Sequence, residues 1–131
     1  MIRAVVSNGA PVVQGPYSQA LACGGFLFCS GQIPLSPETG ALVTGTIEEA
    51  VNRCLLNLEA IVLAGGASVA GIVKVTVYLT DLRDAAAMNQ AYERFFGVRA
   101  LPTRTTVVVS ALPKGAPVEI DCIAFIPPTH L

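Results

Sequence analysis

Apolar residues recur along this chain with two periods. From Ile47 to Val62 they fall at Ile47, Ala50, Val51, Cys54, Leu55, Leu58, Ile61 and Val62, with Glu48, Asn52, Arg53 and Glu59 opposite them. That is the 3.6-residue repeat of an amphipathic helix. Thr46-Ile47-Glu48-Glu49 just ahead of it has the form of a capping box, with Thr46 as N-cap and Glu49 three residues on. Gly65-Gly66 closes the segment, since glycine accepts the left-handed conformation that ends helices. A second helix is predicted over Ala85 to Phe96, capped by Asp81 or Asp84 and stopped by Gly97.

Elsewhere the period is two. Gly25 to Ser30, Ile72 to Leu79, Thr103 to Ser110 and Val118 to Ile126 read as strands, with a short one near Ala4 to Ser7. Gly31-Gln32-Ile33-Pro34, Pro37-Glu38-Thr39-Gly40 and Leu112-Pro113-Lys114-Gly115 are turns, and Pro127-Pro128 ends the last strand. The order β, β, α, β, α, β, β with a terminal hairpin predicts an α+β layer of two helices on one sheet, in a single domain over residues 1–131. Val73, Val75, Val77 and Leu79 suit the side under the helices, with Lys74, Thr76 and Tyr78 on the other. Along the last strand Val118, Ile120, Cys122 and Ala124 share one side; Glu119, Asp121, Ile123 and Phe125 share the other. That second face mixes carboxylates with large apolar groups, as expected where another subunit covers a sheet and leaves a polar pocket at its edge.

Composition sharpens the expectation of self-association. Only 13% of residues are charged and mean hydropathy is +0.62, against about 25% charged in an ordinary soluble domain. No apolar run approaches the ~18 residues of a membrane span. A soluble domain so poor in charge is expected to bury surface against copies of itself. The net charge of −1 and eight scattered basic residues argue against non-specific nucleic-acid binding, which requires clustered cations. The opening MIRAVVSNGAP lacks the apolar core of a secretory signal, which points to a cytoplasmic protein. Cys23, Cys29, Cys54 and Cys122 have neither C-x-x-C nor zinc spacing, and read as buried small apolar residues. His130 is the only histidine, which removes histidine-dependent triads and His-rich metal sites.

Few groups are left for chemistry. Arg104 stands in a strand, and its planar fork suits a bidentate grip on a carboxylate. Glu119 stands on the following strand, so pairing of the two strands would make them neighbours. Two readings are then open, a cross-strand salt bridge or a functional pair. Gly15-Pro16-Tyr17-Ser18 and Ser30-Gly31-Gln32 are turn signals first, and Asn89 reads as a surface residue of the second helix.

Taken in register, a series of segments resembles the RidA family of reactive intermediate deaminases, also called YjgF-type. They are Gly15-Pro16-Tyr17-Ser18-Gln19-Ala20, Ser30-Gly31-Gln32-Ile33-Pro34, Pro37-Glu38-Thr39-Gly40, Ile72 to Leu82, Met88-Asn89-Gln90-Ala91-Tyr92, Phe95-Phe96, Pro102-Thr103-Arg104-Thr105, Leu112-Pro113-Lys114-Gly115 and Val118-Glu119-Ile120. The resemblance implies a chorismate-mutase-like α+β fold assembled as a homotrimer, with active sites in the clefts between subunits. It implies hydrolysis of 2-imino acids and their enamines, such as 2-iminopropanoate and 2-iminobutanoate, to 2-keto acids and ammonia, without metal or cofactor. It places the carboxylate-binding arginine on Arg104, the water-handling glutamate on Glu119 and the pocket tyrosine on Tyr17. Ser30, Gly31 and Asn89 fall among the substrate-binding positions. So does Thr106, where some relatives carry a cysteine, which removes any thiol role there. The same resemblance keeps two rival readings in view, an endoribonuclease or translation inhibitor and a non-catalytic trimer that binds a keto acid.

Overall fold

The computed structural model describes residues 1–43, 45–98 and 101–128; His130 lies outside them. Among the described residues six strands form one sheet: β1 (Arg3–Val5), β2 (Ala20–Cys23), β3 (Phe26–Gln32), β4 (Ile72–Leu79), β5 (Thr103–Val108) and β6 (Val118–Phe125). Two helices, α1 (Ile47–Ala64) and α2 (Ala85–Phe96), pack on one face of it. The expected α+β layer is present, with one more strand than the sequence pattern predicts. Ala20–Cys23 is built of small residues next to turn signals, and it pairs with β1 and β3 as an antiparallel meander.

Both helices obey the local signals. Thr46 Oγ1 accepts from the Glu49 backbone N–H at 3.2 Å, and the Glu49 carboxylate accepts from the Thr46 N–H at 3.3 Å. Each bond satisfies a donor that the first turn leaves without an intrahelical acceptor. The chain leaves α1 through Gly66, whose φ of +87° suits a residue without Cβ. Ala50, Val51, Cys54, Leu55, Leu58, Ile61 and Val62 are buried. Asn57 is buried as well, donating to the Leu35 carbonyl at 3.0 Å and accepting from Arg53 Nε at 3.2 Å. The first of these bonds ties α1 to the segment after β3. At α2, Asp81 caps the preceding 3₁₀ turn, Leu82–Asp84, while Asp84 holds the N-cap position with no side-chain bond.

Strand order is β1-β2-β3-β6-β4-β5, and it corrects the expected terminal hairpin. β5 runs parallel to β4, which the crossover through α2 requires. β6 then lies between β3 and β4, antiparallel to both. Composition explains the choice: Val118, Ile120, Cys122 and Ala124 of β6 are all buried, whereas TRTTVV of β5 is polar at its start and suits an edge. A second correction concerns Val73. A register shift between Ile72 and Lys74 exposes Val73 and buries Ile72 in its place, because a bulge moves alternate side chains to the other side.

Val5, Leu27, Val75, Val77, Leu79 and Ile120 meet α1 and α2 in one core. The opposite face is open. Leu21, Phe26, Phe28, Val107 and Phe125 are each more than a third exposed there, with Phe26 and Phe125 edge to face at 5.9 Å. Among the described residues no helix is long and apolar enough to cross a membrane.

Candidate active site

The β3 bulge between Cys29 and Gln32 builds the first part of the site. Ser30 is fixed there twice, its N–H donating to the Gln19 carbonyl at 2.9 Å and its hydroxyl to the Ser18 carbonyl at 2.6 Å. Gly31 follows, and the Glu119 carboxylate from β6 lies directly against it. A Cβ at position 31 would collide with Glu119 Oε2, so the glycine leaves this carboxylate its space. Tyr17, Ser30, Gly31, Gln32, Lys114 and Glu119 line a cleft of about 490 Å³. Tyr17 is half exposed at its wall. Lys114 reaches the cleft from the turn before β6 with φ 58°, a left-handed conformation uncommon for a residue with a Cβ.

Burial raises the Glu119 carboxyl above the usual carboxylate range, and the charge of Asp121 adds to the effect. Asp121 is two residues on along the same face of β6, where Tyr78 of β4 donates to its Oδ2 at 3.0 Å. Tyr78 is itself the cross-strand neighbour of Glu119. The phenol of Tyr78 is pushed up by burial and by its bond to Asp121.

Arg104 lies elsewhere. It pairs with Val75 under the helices, whereas Glu119 pairs with Tyr78 on the open side. The two residues are separated by two strand spacings, with β4 between them, and three rows, roughly 14 Å between backbones, and they project to opposite faces. The cross-strand neighbours expected from a terminal hairpin are therefore not formed, and neither is the salt bridge. Arg104 instead stacks its guanidinium over the Tyr92 ring, 4.8 Å from the centroid, with Nη1 3.8 Å from Met88 Sδ. Among the described residues it has no carboxylate partner; the two ion pairs there are Arg83–Asp81 and Arg94–Glu48. Thr106 shares the Arg104 face of β5, opposite Val77. Asn89 is exposed on α2, next in sequence to Met88.

One chain thus holds the expected residues in two separate groups. Tyr17, Ser30, Gly31 and Glu119 meet in the cleft, while Arg104, Thr106 and Asn89 belong to the β5 edge and α2. Sequence reasoning placed Asp121 on the Glu119 face but missed Lys114, Met88, Tyr92 and Tyr78 as neighbours of the site. Only Met88 and Tyr92 carried a usable signal, the four-residue spacing that puts both on the inward face of α2. No group of three or more His, Cys, Asp or Glu side chains is placed to hold a metal ion among the described residues. Of the four cysteines expected to be buried, Cys29, Cys54 and Cys122 are, while Cys23, at the end of β2 on the open face, is exposed; the thiols of Cys54 and Cys122 are pushed up chiefly by burial and by the neighbouring Cys29 respectively, which keeps them protonated and unreactive.

Comparison with known proteins gives a consistent picture. A RutC family protein of Pyrococcus abyssi is 47% identical over 121 residues, spanning 92% of this chain and 94% of the relative. TdcF of Escherichia coli, named as a candidate reactive intermediate deaminase, is 40% identical over 126 residues, or 95% and 97% of the two chains. The crystal structure of TdcF with bound serine superimposes with a TM-score of 0.90 over 94% of this chain and 98% of that one. A Rid family protein of Yersinia pestis gives a TM-score of 0.93 at 41% identity, over 96% and 100%. The model of the family described as Endoribonuclease L-PSP matches residues 7–126, and the chain belongs to that family, the YjgF/RidA family.

Proposed function

We propose that this chain is a metal-independent hydrolase of 2-imino acids, 2-iminopropanoate and 2-iminobutanoate among them, working as a cytoplasmic homotrimer with its active sites between subunits. The observation that supports it most is the Glu119 carboxylate, raised by burial and seated against the Gly31 backbone beside Ser30 and Tyr17. A carboxyl raised toward neutrality serves as both base and acid. In this reading Glu119 takes a proton from water as its oxygen bonds to the imine carbon. The C=N π electrons move to nitrogen, which takes that first proton from Glu119 to give the carbinolamine. On collapse Glu119 takes the hydroxyl proton as C=O forms and passes it to the amino nitrogen as the C–N bond breaks, releasing the 2-keto acid and ammonia. Arg104, Ser30, Gly31, Asn89 and Thr106 bind the substrate, with Arg104 gripping its carboxylate, and Tyr17 closes the pocket over the reacting carbon.

The open sheet face supports the assembly. Apolar groups on that scale, rimmed by polar ones, mark an interface, and two half-sites on opposite sides of one sheet call for a second copy. A 2-imino acid is already electrophilic, so orientation and proton transfer suffice for its hydrolysis.

The test generates 2-iminopropanoate in situ with an amino-acid oxidase and follows its conversion to the keto acid. Acceleration by the wild type, lost in Arg104→Ala and in Glu119→Gln, is the expected result. No acceleration by the wild-type oligomer would overturn the deaminase reading. Binding of keto acid without turnover would then favour a ligand-binding trimer, a role suggested by the serine bound to TdcF. RNA cleavage, abolished by salt, would favour the activity in the family's description.

A further inference from the structure

We propose that Tyr92 and Met88 of α2 are positioning residues for Arg104, a neutral platform that orients its guanidinium for a ligand carboxylate without discharging it. The inference rests on the reading of Arg104 as the carboxylate grip and adds the residues through which that grip is set.

Tyr92 is 5% exposed, and its hydroxyl has no hydrogen-bond partner among the described residues. A buried hydroxyl without a partner is destabilising, and phenylalanine would fill the same space without that defect. The ring, not the hydroxyl, makes the contacts of this side chain. Phe96, one turn on, packs against one side with centroids 4.6 Å apart, and Phe95 packs edge to face on Phe96 at 5.2 Å. The ring is held in place by this stack, and Arg104 Cζ sits over it at 4.8 Å, within the range where an aromatic quadrupole attracts a cation.

Met88 lies one turn before Tyr92 and meets Nη1 through its thioether at 3.8 Å. The backbone beneath is tied at the same level, where Thr103 Oγ1 donates to the Val73 carbonyl at 2.8 Å. A carboxylate partner would fix the guanidinium equally well, but it would occupy the fork and cancel the charge that a substrate needs. A π face and a sulfur leave most of the five N–H donors free.

The test is calorimetric titration of the oligomeric protein with 2-oxobutanoate, comparing wild type, Tyr92→Leu and Met88→Leu. It is extended by Tyr92→Phe and by phenylalanines with one, two and three ring fluorines at that position. Fluorination preserves shape while draining the π face, so it separates the electrostatic role from packing even if Tyr92→Leu fails to fold. Tyr92→Phe is expected to bind like the wild type. Affinity should then fall stepwise with fluorination, to a total of roughly three- to thirty-fold. The uncharged 2-oxobutanamide should be indifferent to the series. Affinity for the keto acid that ignores fluorination, or an amide that responds equally, would overturn the platform. A wild type that does not bind 2-oxobutanoate at all would instead overturn the reading of Arg104 on which the platform rests.

Discussion

A guanidinium without an ion pair and a carboxylate raised by burial stand on opposite faces of the same sheet, and each makes separate demands on substitution. Arg104→Ala is expected to lower kcat/KM by about a hundredfold or more, since a bidentate charge-assisted grip is lost. The oligomer should remain intact on size-exclusion chromatography, because the guanidinium is held by Met88 and Tyr92 of its own chain. Gly31→Ala should be nearly as damaging for a steric reason, its methyl displacing the Glu119 carboxylate. For Glu119 the sign of the pH effect follows from the cause. Burial first, then Asp121, raises its carboxyl; Tyr78, Tyr17, Lys114 and the buried Cys54 are other titratable groups around it. With Glu119 acting as base, kcat/KM should fall on the acid side through this raised value. Asp121→Asn should move that limb to lower pH, and a limb that stays put would show that Asp121 does not tune Glu119. The same shift acts on stability. A carboxyl raised in the folded state favours folding below its ordinary range, and the benefit is lost as pH rises through the raised value. Glu119→Gln should therefore melt higher than wild type at pH 7, the gap closing below about pH 4.

Whole elements differ in how plainly their residues announce them. α1 was legible from Thr46 to Gly66, because its capping box and eight-residue apolar stripe are local signals that the fold does not override. Thr46→Ala is expected to cost about 1 kcal/mol in denaturant unfolding, as it frees the Glu49 N–H. Asn57 was not legible, since its reason for burial, the Leu35 carbonyl, lies 22 residues away. Asn57→Leu should cost about 1–3 kcal/mol by stranding that carbonyl; an unchanged melting point would show that water replaces the bond. β2 escaped notice because ALAC has neither β-branched nor aromatic residues, and pairing with β1 and β3 alone makes it a strand. The site divides the same way. Tyr17, Ser30, Gly31 and Glu119 converge because bulge, turn and register bring them together, which segment order reveals only through a resemblance. The condition that would make Arg104 and Glu119 neighbours, pairing of their two strands, is not met, because strand order is set by the β4–α2–β5 crossover and by the burial of β6, not by adjacency in the chain.

At the scale of the molecule, the decisive question is whether Arg104 and Glu119 of one chain ever serve the same substrate. In a single chain the sheet stands between them, while each lies near surface that a second copy could cover: Glu119 beside the apolar open face, Arg104 on the β5 edge. If each site takes its arginine from one subunit and its glutamate from the next, two inactive variants should complement each other. Arg104→Ala and Glu119→Gln, purified separately, dissociated together and reassembled at equal concentration, form mixed trimers. A site in such a mixture has even chances of drawing an intact arginine from one chain and an intact glutamate from its neighbour. About a quarter of wild-type activity should then return if mixing is random in a closed ring. A site built within one chain predicts no recovery at any ratio. The double variant, mixed with wild type, supplies the control: its activity should fall faster than dilution, because each inactive chain spoils two clefts. Phe28→Glu, placed on the open face away from both half-sites, should block recovery by preventing assembly while the monomer keeps its helical signal.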